Sequence, residues 1–507
     1  LRESALVALQ LSHRLSPTNV GVTGGIMRKL LMTSAAVILT LTEATALAFA
    51  QSAPSVLPPN VMEGVAAAPL PIQSANNANN TYALPQPNGV VNPTPGTVVV
   101  HLNGRVLFGG AYESSTLDVF RASSAVAPQK VSNFGNVGYV RIYPGVDAMA
   151  ANGLRYGASV ELRQDFGPTA GSTASSGGSA NSFNSTLFVR RAFAYVANNN
   201  FGILRTGQAD GVIGLFDLGV TTFQNFDTGG WDGDLMGTIP SNAQLAFPFS
   251  SLQGAEYVPS KIVYLSPQLA GFDFGFAYAP NNSALNQGPN INSLSSTAAT
   301  LTQCAVAASG CPTLSTSNVA LDGSRFKDYT ETGVRYRTAV GPVSILGFGI
   351  YVNSGHVNVS PPVAGSQFNG LNYGDFGLAA TYAGWTFGAH GTVGQYNGVN
   401  ALQPKGGAPG NAWLAGVQYQ TGPWVAGASY YVYQSQGSPL TVGIAQRVER
   451  GLAVGSTYTI APGLDLIASY LYGTRHQGDF DFATGTLGPD ENNVKVQLFS
   501  LATIVKW

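Results

Sequence analysis

The chain is poor in charge, in cysteine and in long apolar runs, and each shortage excludes something. Charged residues are 10% of the 507, against roughly 25% in soluble domains. The formal net charge is −1, which gives no global field for nucleic acid or an acidic partner. There are two cysteines, Cys304 and Cys311, in a Ser/Thr/Asn-rich stretch. With no histidine beside them they make a poor zinc site; in an exported protein they are candidates for a short loop disulfide. Outside residues 30–50 no run approaches the roughly 18 apolar residues of a membrane helix, and mean hydropathy is +0.11. His101, His356, His390 and His476 are scattered. No H-E-x-x-H, G-x-S-x-G or phosphate-cradling loop accompanies them, so neither an enzyme nor a bound cofactor is expected.

Glycine (62), phenylalanine (25) and tyrosine (22) are abundant. Low charge with many glycines and aromatics fits a β-barrel whose outer face meets lipid; a secreted all-β protein is the alternative. The organisation along the chain supports export. Met27-Arg28-Lys29 precedes an apolar core from Leu30 to about Leu41, and Ala48-Phe49-Ala50 supplies the small residues of a cleavage site. Residues 27–50 therefore read as a signal peptide, cleaved before Gln51. Residues 1–26 carry no such pattern and read as an upstream mistranslated segment. Residues 51–96 are rich in Pro, Asn and Ala, a composition that cannot bury enough surface to order itself, and read as a periplasmic linker.

From Thr97 to Trp507 the pattern alternates. Val98, Val100, Leu102, Val106, Phe108 and Tyr112 share one parity; His101, Asn103, Arg105 and Glu113 share the other. Alternate residues of a strand face opposite sides, so one side is apolar and the other polar. The stretch 154–165 repeats this, with Leu154, Tyr156, Ala158, Val160 and Leu162 against Arg155, Ser159, Glu161, Arg163 and Asp165. About sixteen such strands are predicted: 97–113, 137–144, 154–166, 187–197, 201–207, 259–266, 271–279, 328–338, 343–353, 373–382, 385–395, 412–420, 424–434, 446–459, 464–474 and 493–507. Short connections alternate with long ones, as short periplasmic turns alternate with external loops in a membrane barrel. Tyr382, Trp385, Tyr419, Trp424, Tyr458 and Trp507 flank the short turns, where amphipathic rings would form a girdle at the membrane boundary.

Over roughly 97–507 the chain resembles the general Gram-negative porin family. Asn152-Gly153-Leu154-Arg155-Tyr156-Gly157 looks like the family's second hairpin. Arg190-Arg191-Ala192-Phe193 and Phe201-Gly202-Ile203-Leu204-Arg205-Thr206-Gly207 look like its fourth and fifth strands. Tyr264-Leu265-Ser266-Pro267 followed by Gly271-Phe272 resembles the next hairpin. Phe499, Leu501, Val505 and Trp507 alternate as in the family's closing strand, which ends in an aromatic read by the barrel-assembly machinery. Tryptophan stands here for the usual phenylalanine, and Gln208 where the family often has arginine. The resemblance implies an all-β, sixteen-stranded antiparallel transmembrane barrel, usually a homotrimer, with the third external loop folded inward; residues 208–258 take that place. It also implies a bacterial outer-membrane setting among lipid and lipopolysaccharide.

Charge placement suggests the pore. Loop 208–258 carries Asp210, Asp217, Asp227, Asp232, Asp234 and Glu256, with no Lys or Arg. The polar parity of the strands carries Arg105, Arg141, Arg155, Arg163, Arg190, Arg335 and Arg337, and Arg191 falls on the lipid-facing parity. An acidic loop opposite a basic wall would set a transverse field that selects ions; alternatively, several of these acids serve the loop's own backbone. The expected function is passive diffusion of small hydrophilic solutes and ions. A channel selective for sugars or organic anions is the alternative, and a non-conducting surface or adhesin barrel a third.

Overall fold

The computed structural model describes residues 93–120, 129–165, 187–198, 200–216, 231, 235, 238–240, 242–249, 260–281, 317–318, 326–356, 358–359, 367–438 and 443–507. The segments 1–26 and 27–50, and all but the last four residues of 51–96, lie outside these, as do Cys304 and Cys311. All described residues belong to one compact unit.

Among them, sixteen strands close into one antiparallel barrel. They are β1 (Thr97–Ser115), β2 (Phe134–Met149), β3 (Arg155–Asp165), β4 (Phe188–Asn198), β5 (Gly202–Gln208), β6 (Ser260–Leu265), β7 (Phe272–Asn281) and β8 (Phe326–Val340). The second half is β9 (Val343–His356), β10 (Asn372–Tyr382), β11 (Trp385–Gln395), β12 (Gly410–Thr421), β13 (Trp424–Ser435), β14 (Arg447–Ala461), β15 (Leu464–His476) and β16 (Asn493–Lys506). Each strand pairs with its sequence neighbours, and β16 pairs back onto β1. No strand edge is left to recruit another chain. One short helix, α1 (Val212–Phe216), follows β5.

Every predicted strand has a counterpart. The largest difference is β2, expected over 137–144 and observed over Phe134–Met149. The strand continues past Pro144, which pairs with Leu102 of β1. On its other side the register with β3 runs from Ile142↔Leu162 to Gly145↔Ser159, which places the missing N–H of proline where the ladder is interrupted. The short turns follow local chemistry. At Tyr382-Ala383-Gly384-Trp385 both central residues have positive φ (48° and 85°), the two-residue hairpin that glycine favours.

The outer wall is apolar. Val100 is 76% exposed and Phe108 62%; facing water, a wall of this kind would be an aggregation surface, and facing lipid it costs nothing. At the short-turn end the rings of Trp385 and Tyr419 (4.6 Å between centroids) and of Trp424 and Tyr458 (4.7 Å) pack at a tilt across adjacent strands. Phe499, Leu501, Val505 and Trp507 are on this outward face. The Trp507 N–H donates to the Gly104 carbonyl (3.1 Å), and the Trp507 main-chain oxygen accepts from the Gly104 N–H (3.0 Å). The indole lies over Gly104, where a Cβ would overlap the ring. Gly104→Val is therefore expected to evict the Trp507 ring and lower the yield of folded barrel. The check is heat-modifiable gel mobility after refolding, with Gly135→Val, which meets open space, as the control.

Candidate functional site

A sixteen-stranded barrel is too wide for wall side chains alone to fill, so its interior is where function resides. The strand parity that turns inward carries nearly all the charge. Arg105 pairs in register with Lys506 on β16 and with Arg141 on β2. Arg141 in turn pairs with Arg163 on β3. Four adjacent strands thus place four cations in one inward row. Like charges directly opposite one another are destabilising. Aromatic faces offset this: the Arg141 guanidinium sits 3.9 Å from the Tyr139 ring centroid, and Arg105 lies 5.3 Å from Tyr139 and 6.0 Å from Tyr143. Arg105, Arg141 and Arg163 are buried. Lys506 is held by Asp465 at 2.5 Å.

The wall also carries ion pairs, one of which reaches the row, since Glu161 lies 3.9 Å from Arg163. Glu161 accepts from Arg191 (2.6 Å) and Arg190 (3.1 Å). Asp273 pairs with Arg335 (2.5 Å) and Arg337 (3.5 Å), and Glu449 with Arg475 (3.0 Å). At the short-turn end His101 (3.1 Å) and Tyr195 converge on Asp147. Arg155, at the start of β3, is half-buried.

Arg191 is a correction to the lipid-facing position expected from alternation. It is buried and bonded to Glu161 and Asp210. The reason is a β-bulge: Glu161 pairs with Arg191 but Leu162 with Val189, and the extra residue shifts the parity by one. Asp210 is buried and paired with Arg191 at 2.5 Å. Asp217, Asp227, Asp232 and Asp234 lie outside the described residues. The sequence reading placed Glu161 on the polar face but overlooked Arg205, Lys261 and the wall acids Asp273, Glu331, Asp375, Glu449 and Asp465, all buried on the inward parity. For Arg205 the signal was present, because Ile203 and Arg205 alternate with Leu204 and Thr206 on β5.

The connection after β5 packs on inward-facing wall residues. Helix α1 is fully buried. Glu331 of β8 accepts from the Ile213 amide (2.8 Å) at its first turn, and Arg335, four residues along the same strand, donates to the Leu215 carbonyl (2.9 Å) at its last. Acid at the start and base at the end match the helix's exposed backbone groups. Gly275 and Gly333 let it lie close, since a Cβ at either would come within 2.9 Å and 2.8 Å of Val212. Farther on, the Trp231 indole donates to the Leu452 carbonyl (3.0 Å), its ring over Gly451 and Gly473. Arg475 donates to the Asn242 carbonyl (3.0 Å) and Tyr431 to that of Ala246 (3.2 Å). Phe247 meets Tyr431 edge-on at 5.2 Å, and Phe249 lies 4.4 Å from the His390 ring, itself bonded to Asp375. The segment is thus fastened to β8 on one side and to β11–β15 on the other.

A family model described as Gram-negative porin matches residues 34–478. No curated protein sequence matches the chain. Similar solved structures include the anion-selective porin from Comamonas acidovorans, 15% identical with a TM-score of 0.46, covering 81% of this chain and 100% of that one. The outer membrane channel DcaP of Acinetobacter baumannii is 10% identical with a TM-score of 0.48, covering 82% and 100%. A mutant Rh. blastica porin is 13% identical with a TM-score of 0.41, covering 81% and 100%.

Proposed function

The chain belongs to the Gram-negative porin family of outer-membrane channels, and from that premise we propose that it passes small hydrophilic solutes and ions by passive diffusion, favouring anions along one wall. The observation that carries the anion preference is the inward row Lys506–Arg105–Arg141–Arg163 across β16, β1, β2 and β3. An ion passing such a row meets cations held by tyrosine faces, and each attracts an anion even at the dielectric of water. The segment from Asp210 to Phe249, fastened across the interior, narrows the passage and brings solutes to the row. Family and fold support the reading of the protein as a channel. It works as a homotrimer, inserted by the barrel-assembly machinery through the outward stripe Phe499, Leu501, Val505 and Trp507.

The acids of the inward segment oppose the arginines in this reading. Neutralising Asp227, Asp232 and Asp234 together to asparagine is expected to shift permeability further towards anions. The reversal potential in a tenfold salt gradient reads this directly, and an unchanged potential would remove the segment's acids from selectivity.

A further inference from the structure

The connection that follows β11 is held by side chains of the inward wall. Residues 396–404 carry no charge. Tyr433 of β13 donates to the Gly398 carbonyl (3.0 Å), and Tyr373 of β10 donates to the side-chain oxygen of Asn400 (2.9 Å). Tyr396 lies between the two rings, 4.9 Å from Tyr373 and stacked on Tyr433 at 5.8 Å. Its own ring covers Gly410, where a Cβ would come within 2.5 Å. Tyr373, Tyr396 and Tyr433 are buried, as are Asn400, Leu402 and Gln403. Gly398, Val399 and Ala401 are half-buried and form the edge that the loop leaves open.

The loop is also locked from the side. After β13 the Gly437 main chain exchanges two hydrogen bonds with the Asn397 amide (2.5 and 3.1 Å). Gln436 accepts from the Ala408 N–H (2.8 Å). After β15, Gln477 donates to the carbonyls of Gln436 (2.9 Å) and Ala445 (3.0 Å) and accepts from Arg447 (3.0 Å). Asn397, Gln436 and Gln477 are buried, and together they join three successive long connections. Backbone groups taken out of water need such partners; a loop that only linked two strands would find them in solvent.

Depth relates this loop to the segment after β5. Tyr431, which holds the Ala246 carbonyl of that segment, and Tyr433 are two residues apart on the same face of β13. Two residues of strand span roughly 7 Å, so the second loop lies that far outward of the first.

We propose that residues 396–404 form a second inward-folded segment, which narrows the external mouth and sets the largest solute that enters. The proposal rests on the diffusion-channel reading and adds where size is selected. Because the loop is uncharged, it sieves by width and leaves the choice of ion to the arginine row. Tyr373 and Tyr433 are positioning residues that hold the loop in place.

The test is swelling of liposomes containing the full chain, in arabinose and in raffinose, a neutral monosaccharide and a neutral trisaccharide. Tyr373→Phe with Tyr433→Phe keeps both rings, removes both hydroxyls and should raise the raffinose-to-arabinose rate ratio several-fold. Excising residues 398–403, with gel mobility to show a folded barrel, should raise it further. The reversal potential in a salt gradient should stay at its wild-type value in both variants, which separates a change of width from a change of charge. A wild-type sugar ratio in the phenylalanine pair, or in a folded excised variant, would overturn the proposal. Wild-type vesicles that fail to swell in arabinose would instead overturn the channel reading on which it rests.

Discussion

Replacing Arg105, Arg141 and Arg163 together by glutamine is expected to move the reversal potential strongly towards cations, with anion permeability falling relative to cation permeability by about tenfold or more. The size follows from simple electrostatics. A unit charge about 6 Å from a permeating ion, in a dielectric close to water, is worth roughly 0.7 kcal/mol. Three such charges on adjacent strands give about 2 kcal/mol, and each 1.4 kcal/mol is a factor of ten. The register concentrates the effect, since Arg105↔Arg141 and Arg141↔Arg163 put the three in one row across adjacent strands. Arg335 and Arg337, which share Asp273, are a useful contrast. Their glutamine variants should alter selectivity less, because Asp273 sits closer to Arg335 (2.5 Å) and Arg337 (3.5 Å) than Glu161 does to Arg163 (3.9 Å) and so offsets more of their charge. Equal effects from both sets would mean that position in the row is irrelevant.

Trp231→Ala is expected to loosen the inward segment, raising single-channel conductance and open-channel noise. Trp231 is fully buried, hydrogen-bonded to the Leu452 carbonyl and seated over Gly451 and Gly473. Truncating a buried tryptophan costs about 3–5 kcal/mol, a large share of what holds a loop of this kind. The barrel itself should stay intact, because its sixteen-strand ladder does not depend on this side chain. Gly451→Val, which fills the seat from the opposite side, should reproduce the phenotype. The measurement is conductance and current variance in planar bilayers, alongside gel mobility to show a folded barrel. Unchanged conductance in both variants would mean that the segment does not limit the passage.

What the sequence disclosed and what it withheld divide along physical lines. Strands were legible because lipid outside and polar groups inside impose a strict period of two on each of them. Val98, Val100 and Leu102 against Asn103 and Arg105 are enough to orient β1. Alternation also gives the parity of Arg105, Arg141 and Arg163, but not that they share a row; that depends on pairing register, which no single strand contains. Parity failed at Arg191, where a bulge opposite Glu161 and Leu162 turns the residue inward. It also understated β2, because Pro144 is tolerated wherever the ladder does not need its donor. The anchoring of the inward segment was invisible for a different reason. Trp231 and Gly451 are 220 positions apart, and a glycine that receives a ring has no local signature. The pairing of Glu331 and Arg335 with the ends of α1 is of the same kind, legible only once β8 and the helix are side by side.

The most direct test of the channel reading is a single-channel recording of the purified protein in a planar bilayer under a salt gradient. Stepwise openings with a reversal potential on the anion side, lost in the Arg105/Arg141/Arg163 glutamine variant, are the predicted result. A folded barrel that inserts but carries no current would contradict the account and move attention to its external loops.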